Sequence, residues 1–229
     1  VQPTQEENAP PQRVHGSLLA AAEKRLLVAL ARRMPGWVTP DRLTGLGIAG
    51  AALVLAGCLL SNERPAFLWL ANFGLAVHWF GDSLDGTLAR VRGIERPRYG
   101  FFVDQTIDVL GNLLIMLGIG LSPYVRMDVA LLSLAGYHAL TIYSLVRSAV
   151  MREHMVSIYG FGPTEVRLVL FAINAGAFFG GAHPGFLGLA HFTWCDLLLM
   201  AGFVAMAAIF AIGFIADARQ LRDQEPPLR

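Results

Sequence analysis

Six apolar stretches, at roughly 42–60, 66–91, 100–121, 127–150, 165–182 and 193–215, decide what this chain can become. A hydrocarbon core about 30 Å thick is crossed by about 20 residues of apolar helix, and each stretch approaches that length. Some do so only with polar residues counted inside them. Charged residues make up 15% of the chain and mean hydropathy is +0.51. A soluble domain carries nearer a quarter charged residues. The expectation is an all-α integral membrane protein with six transmembrane helices.

Ahead of the first stretch, Ser17 to Met34 reads as an amphipathic helix. Leu18, Leu19, Ala22, Leu26, Val28, Ala29 and Leu30 alternate with Glu23, Lys24, Arg25, Arg32 and Arg33. Such a helix lies in the membrane interface; packing on a soluble core is the competing reading. The expected organisation is a disordered tail over 1–16, an interfacial helix over 17–34, a six-helix domain over 35–217 and a tail over 218–229. Val1 to Gln12 is polar and Pro-rich, the wrong composition for the apolar part of a signal peptide. Of the 18 Lys and Arg residues, all but Arg64 and Arg126 fall on one set of alternate sides. The positive-inside rule then puts both termini in the cytoplasm. One Lys against seventeen Arg points to a GC-rich bacterial genome, hence an inner membrane. Cys58 and Cys195 lie in apolar runs, where cysteine acts as a small hydrophobe.

Four aspartates interrupt this pattern. Asp82 and Asp85 close one apolar stretch; Asp104 and Asp108 open the next. A carboxylate at bilayer depth costs several kcal/mol unless compensated, so the four mark a site. Their spacings, i, i+3 and i, i+4, place each pair on one helix face. Four clustered negative charges call for about two divalent cations, and hard oxygen ligands suit magnesium, manganese or calcium better than zinc. Gly86, Ala89 and Gly100 are small residues that let a ligand approach the backbone. Arg90 offers a permanently charged fork suited to phosphate. Both acid pairs fall near the inner leaflet's head-group boundary, where a nucleotide and a lipid can meet. The competing class is a cation-coupled transporter, in which acids line an ion path.

The text of the segment is Asp82-Ser-Leu-Asp85-Gly86-Thr-Leu-Ala89-Arg90, nine residues, then Gly100-Phe-Phe-Val-Asp104-Gln-Thr-Ile-Asp108. It resembles the signature of the CDP-alcohol phosphotransferases, D-x-x-D-G-x-x-A-R followed by G-x-x-x-D-x-x-x-D. The family's spacer is usually eight residues; the extra one falls in the Gly93–Tyr99 loop. Thr39-Pro40-Asp41-Arg42-Leu43-Thr44 resembles the family's start of helix one, with Asp where Asn is usual. The resemblance implies displacement of CMP from a CDP-linked donor by an acceptor hydroxyl. It implies that Asp82, Asp85 and Asp104 ligate two divalent cations, Mg2+ or Mn2+, and that Asp108 is the general base and touches a metal. Gly86, Ala89, Gly100 and Arg90 would accommodate the nucleotide beside Asp82, Asp85 and Asp104. It also implies phospholipid synthesis and a homodimer.

Two branches remain. CDP-diacylglycerol reacts with a small alcohol, or a CDP-aminoalcohol reacts with diacylglycerol. Gly162-Pro163-Thr164-Glu165 resembles a segment of the aminoalcohol branch, but Gln105 stands where that branch usually has His. The segment also reads as a plain helix start. The first branch is preferred. Candidate acceptor-binding residues are Arg147, Arg152, Glu165 and His78. For the two arginines an ordinary inner-face anchor is the competing reading, and for His78 a bond within the bundle; Tyr137, His138 and Tyr143 are equally open. Asp196 and Asp217 sit near helix ends and need no function. Gly45-Leu-Gly47-Ile-Ala-Gly50 fits a dinucleotide-binding pattern without its strand or its acid, so helix packing is expected there.

Overall fold

A computed structural model describes residues 12–14, 20–151, 153–155, 162–183, 185 and 191–225. Its helices are α1 (Ala20–Arg33), α2 (Pro40–Leu60), α3 (Leu68–Arg92), α4 (Pro97–Leu121), α5 (Met127–Met151), α6 (Pro163–Gly180) and α7 (Trp194–Gln224). A single 3-10 turn, Pro65–Phe67, leads into α3. Within the expected tail, β1 (Gln12–Val14) pairs in parallel with β2 (Glu153–Met155), a three-residue ribbon. The rest of the described secondary structure is helical, and six long helices coincide with the six apolar stretches.

Four of them, α2, α4, α5 and α7, are long and apolar enough to cross a membrane. In α3 the site residues dilute the apolar run, and α6 is only 18 residues with Glu165 and Arg167 in its first turns. Two boundaries differ from expectation. Pro97 starts α4 three residues early because a proline suits the first turn of a helix. At the other end α7 runs on to Gln224, since Ala, Arg, Gln and Leu keep forming helix after the apolar run ends.

The termini follow local chemistry. Thr39 accepts from the Arg42 N–H at 3.3 Å, with Pro40 next to it. Gly93, at φ 63, ends α3 in the left-handed region, and Ile94 N–H closes back on the Ala89 carbonyl. Arg92 donates to the Met34, Pro35 and Val38 carbonyls, so the end of α3 grips the α1–α2 linker. Thr193 and Asp196 cap α7: the Asp196 carboxylate accepts the Thr193 N–H at 2.8 Å and the Arg126 N–H at 2.8 Å. Asp196 is therefore structural.

The tightest contact is between α2 and α3. A Cβ on Gly50 would lie 2.4 Å from the His78 nitrogen, and one on Gly81 would lie 2.4 Å from the Gly47 nitrogen. Gly57 meets Ala71 in the same way. The small residues at 47 and 50 thus serve packing, while Gly45 meets nothing within 4 Å. In addition, α3 touches α1 and α6, α4 lies against α2 and α5, and α7 packs on α5.

Two apolar clusters result. The larger joins Ala51, Val54, Leu75, Ile115, Ile119, Leu134, Ile173 and Leu199, among others. The smaller joins Leu27 and Ala31 of α1 to Val38, Leu43, Leu84 and Leu88. The apolar face of α1 therefore rests on the bundle. Glu23, on the same helix, accepts from Trp79 Nε1 and from the Thr164 hydroxyl, both at 2.7 Å. Between the two clusters α2, α3 and α4 contribute Thr44, Gly47, His78, the acids and little else.

Candidate active site

A cleft of about 220 Å3 opens between those clusters, lined by Thr44, Gly47, His78, Asp82, Asp85, Asp104, Ile107 and Asp108. Carboxylate oxygens of Asp82, Asp104 and Asp108 all lie within 4.8 Å of one another. At that separation two like charges repel by about 3 kcal/mol at an effective dielectric constant of about 20. Three acids from two different helices, if all ionised, would repel at this position unless something positive shares it. Arg167 of α6 supplies part, through an ion pair with Asp82 in which the side chains are 13% and 18% exposed. One guanidinium cannot balance three carboxylates. Oxygen-only donors, converging and under-neutralised, fit a hard divalent cation. The residues that would hold one are Asp82, Asp104 and Asp108.

Asp85 lines the same cleft but is turned to other partners. Its carboxylate accepts from the Thr44 hydroxyl at 2.6 Å and from the Gly86 N–H. Gln105 donates to Asp104 at 3.1 Å and so orients it. Around the signature, Gly86 faces the Arg90 guanidinium, 3.4 Å from where a Cβ would stand. Arg90 in turn donates to the Thr87 hydroxyl at 3.0 Å. Gly100 opens to free space and Ala89 is half-buried.

The remaining candidates separate clearly. His78 is 3% exposed and lines the cleft, and neither ring nitrogen has a hydrogen-bond partner among the described residues. An unpaired buried polar group costs about 1–3 kcal/mol, so the ring is placed for a partner inside the cleft. Glu165 accepts the Gly162 N–H at 2.9 Å and caps its own helix, while Thr164 anchors α1. The Gly162–Glu165 segment is thereby explained as a helix start. Arg147 pairs with Asp217 at 2.8 Å, and the Tyr143 hydroxyl donates to the same carboxylate. This ties α5 to α7. Arg152 lies outside the described residues.

Arg167 is the contributor that sequence reasoning missed: it falls among the inner-face charges, although an arginine inside a membrane-grade stretch is itself a signal. Thr44 stands in the segment that resembles the family's helix-one start, with no sign that it bonds Asp85, and Tyr137 is among the open candidates. The Tyr137 phenol lies within electrostatic reach of Arg167, Asp108 and Asp82.

The fold and its cleft define a class: a helical membrane enzyme whose acids converge from two adjacent helices. Residues 37–212 match the model of the CDP-alcohol phosphatidyltransferase family, and the chain belongs to that family. It is 32% identical over 161 residues to an archaetidylinositol phosphate synthase of Pyrococcus horikoshii, covering 70% of this chain and 80% of that protein. Over 84 residues it is 36% identical to a phosphatidylinositol phosphate synthase of Cutibacterium acnes, covering 37% of this chain and 38% of that protein. The chain is thus a phosphotransferase of phospholipid synthesis and an integral membrane protein, which removes the transporter reading.

Proposed function

We propose that the chain moves the lipid-bearing phosphoryl group of a CDP-diacylglycerol-type donor to a hydroxyl of a phosphorylated polyol, of the inositol phosphate class, releasing CMP. The observation that carries this reading is the convergence of Asp82, Asp104 and Asp108 with Arg167 in one cleft. The acids suit a cation-bound pyrophosphate. The arginine suits an anionic acceptor, in line with the names of both relatives.

Two divalent cations, Mg2+ or Mn2+, would be held by Asp82, Asp85, Asp104 and Asp108 and would neutralise the pyrophosphate during an in-line displacement. The chain's own residues do the rest. Gly86, Ala89 and Gly100 leave room for the nucleotide, and Arg90 stands beside its phosphates. Asp108 accepts the proton of the attacking hydroxyl. The resulting oxygen bonds to the lipid-linked phosphorus, and the bond from that phosphorus to the CMP oxygen breaks. Arg167, bonded to Asp82 from the α6 side, takes the acceptor's phosphate. The aminoalcohol branch is disfavoured because its Gly-Pro-Thr-Glu likeness is spent on capping α6 and holding α1. The expected setting is a bacterial inner membrane crossed six times by a homodimer, with both termini inside.

Purified protein should release CMP from CDP-diacylglycerol when given inositol phosphate and Mg2+ or Mn2+, and not from CDP-choline given diacylglycerol. Asp108→Asn should lower the rate by about 10²–10⁴-fold, the usual worth of a positioned base. Undiminished CMP release in that variant, or after divalent ions are stripped, would overturn the reading.

A further inference from the structure

A second cleft, of about 210 Å3, lies between α4 and α5 and is lined by Gln105, Asp108, Val109, Asn112, Tyr137, His138 and Thr141. Asp108 is the one residue it shares with the acid cleft. We infer that this second cleft binds the hydroxyl-bearing ring of the acceptor, with Asn112, Tyr137, His138 and Thr141 as its recognition groups. The inference rests on the reading of Asp108 as the base of the proposed reaction.

Three observations converge on it. The first is position. A base must be within hydrogen-bond reach of the hydroxyl it deprotonates, and that hydroxyl must face the reacting phosphorus. Only a ligand straddling Asp108 meets both demands, with the donor on the acid side and the acceptor opposite. The second is lining chemistry. Asn112 lies one helical turn from Asp108 on α4, and Tyr137, His138 and Thr141 share a face of α5. They offer an amide, a phenol, an imidazole and a hydroxyl, which donate and accept without formal charge when the imidazole is neutral. Among the described residues no Lys or Arg lines this cleft, so a phosphate is not what they select. Acyl chains would leave its polar groups unpaired.

The third is that these groups are unspent. Among the described residues the Asn112 amide, the Tyr137 hydroxyl and the His138 ring form no hydrogen bond to protein, and the rings of Tyr137 and His138 meet edge to face with centroids 6.1 Å apart. The Thr141 hydroxyl donates to the Tyr137 carbonyl at 3.1 Å and keeps its lone pairs for a ligand hydroxyl.

The test uses the full-length protein and two variants, Asn112→Leu and Thr141→Val. In the CMP-release assay both variants should raise KM for inositol phosphate by about 3- to 10-fold, the worth of a lost hydrogen bond, and leave KM for CDP-diacylglycerol unchanged. Thr141→Ser should restore the wild-type value. An unchanged donor KM also certifies that each variant is folded. A second arm needs no turnover: saturation-transfer NMR with free myo-inositol should show binding to wild type and weaker binding to both variants. Unchanged acceptor KM and unchanged myo-inositol signal, or a shift confined to the donor, overturns the inference. If wild type releases no CMP with any phosphorylated polyol, the proposed reaction falls, and the NMR arm alone then decides whether the cleft binds a polyol.

Discussion

The Asp82–Arg167 pair decides how the acid cluster survives without a bound cation. Breaking a buried ion pair by removing one partner costs about 3–5 kcal/mol, because the remaining charge stays buried. Here the surviving Asp82 would also face Asp104 and Asp108 with nothing between them. Arg167→Met should therefore destabilise the chelator-treated protein by about 3 kcal/mol. Added Mn2+ should stabilise this variant more than it stabilises wild type, since a cation then does the neutralising alone. Thermal unfolding in detergent, with EDTA and with Mn2+, reads both effects; an equal gain from Mn2+ in the two proteins would show that Arg167 and the cation do not share a role. The acids themselves were legible in the sequence because they form a local pattern in which two helix faces and one short loop bring them together. That Arg167, Thr44 and Tyr137 join them was not. They come from α6, α2 and α5, and no periodicity in one helix tells which turn of another will face it.

At the scale of the helix pair, the α2–α3 seam turns a stripe of glycines into a distance constraint. Gly50 and Gly81 let the two backbones approach so closely that an added Cβ would meet main-chain atoms at 2.4 Å. Main chain cannot swing aside as a side-chain tip does, so the helices must separate, and His78 and Asp82 move with α3. Overpacking of this kind costs about 1–3 kcal/mol. Gly45 occupies the same helix with nothing within 4 Å. There the helix propensity of alanine acts unopposed and favours the substitution by about 0.5–1 kcal/mol. The two replacements should therefore have opposite signs: Gly45→Ala raises the unfolding temperature in detergent and Gly50→Ala lowers it, with CMP release reduced only in the second. Equal effects would mean that the seam does not govern the site. The sequence showed the small residues and favoured packing for them, but gave no ground for separating Gly45 from Gly50. That depends on which flank of α2 faces α3.

Across the whole molecule the question is how many helices cross the bilayer. By length and composition α2, α4, α5 and α7 qualify. The packing of α3 and α6 argues for the proposed two more. Gly57 lies on Ala71, Gly50 on Gly74 and His78, and Gly47 on Gly81. This antiparallel register runs along the middle of both helices, and at 1.5 Å per residue the stretch from Ala71 to Gly81 covers about 15 Å of depth. A helix locked to α2 over that depth shares about half of the layer that α2 is long enough to cross. Next, α6 follows α3 in the same manner: Asn174 donates to Asn72 at 3.0 Å and Arg167 reaches Asp82. The apolar stretches gave away all six helices in the sequence because burial in lipid leaves no other use for them, whereas the turn by which α6 meets α3 had no sequence mark. Six crossings, as proposed, would put both ends on one side, and the excess of arginine predicts that this side is the cytoplasm. Single cysteines placed at Glu63, Glu95 and Asp223 should then divide. With a membrane-impermeant maleimide, Glu63→Cys is labelled in right-side-out vesicles, and Glu95→Cys and Asp223→Cys only in inverted ones. The native Cys58 and Cys195 are buried and should contribute no background. Labelling of positions 63 and 95 from one side would mean that α3 does not cross, and the acids it carries would then sit at a different depth from the one the site requires.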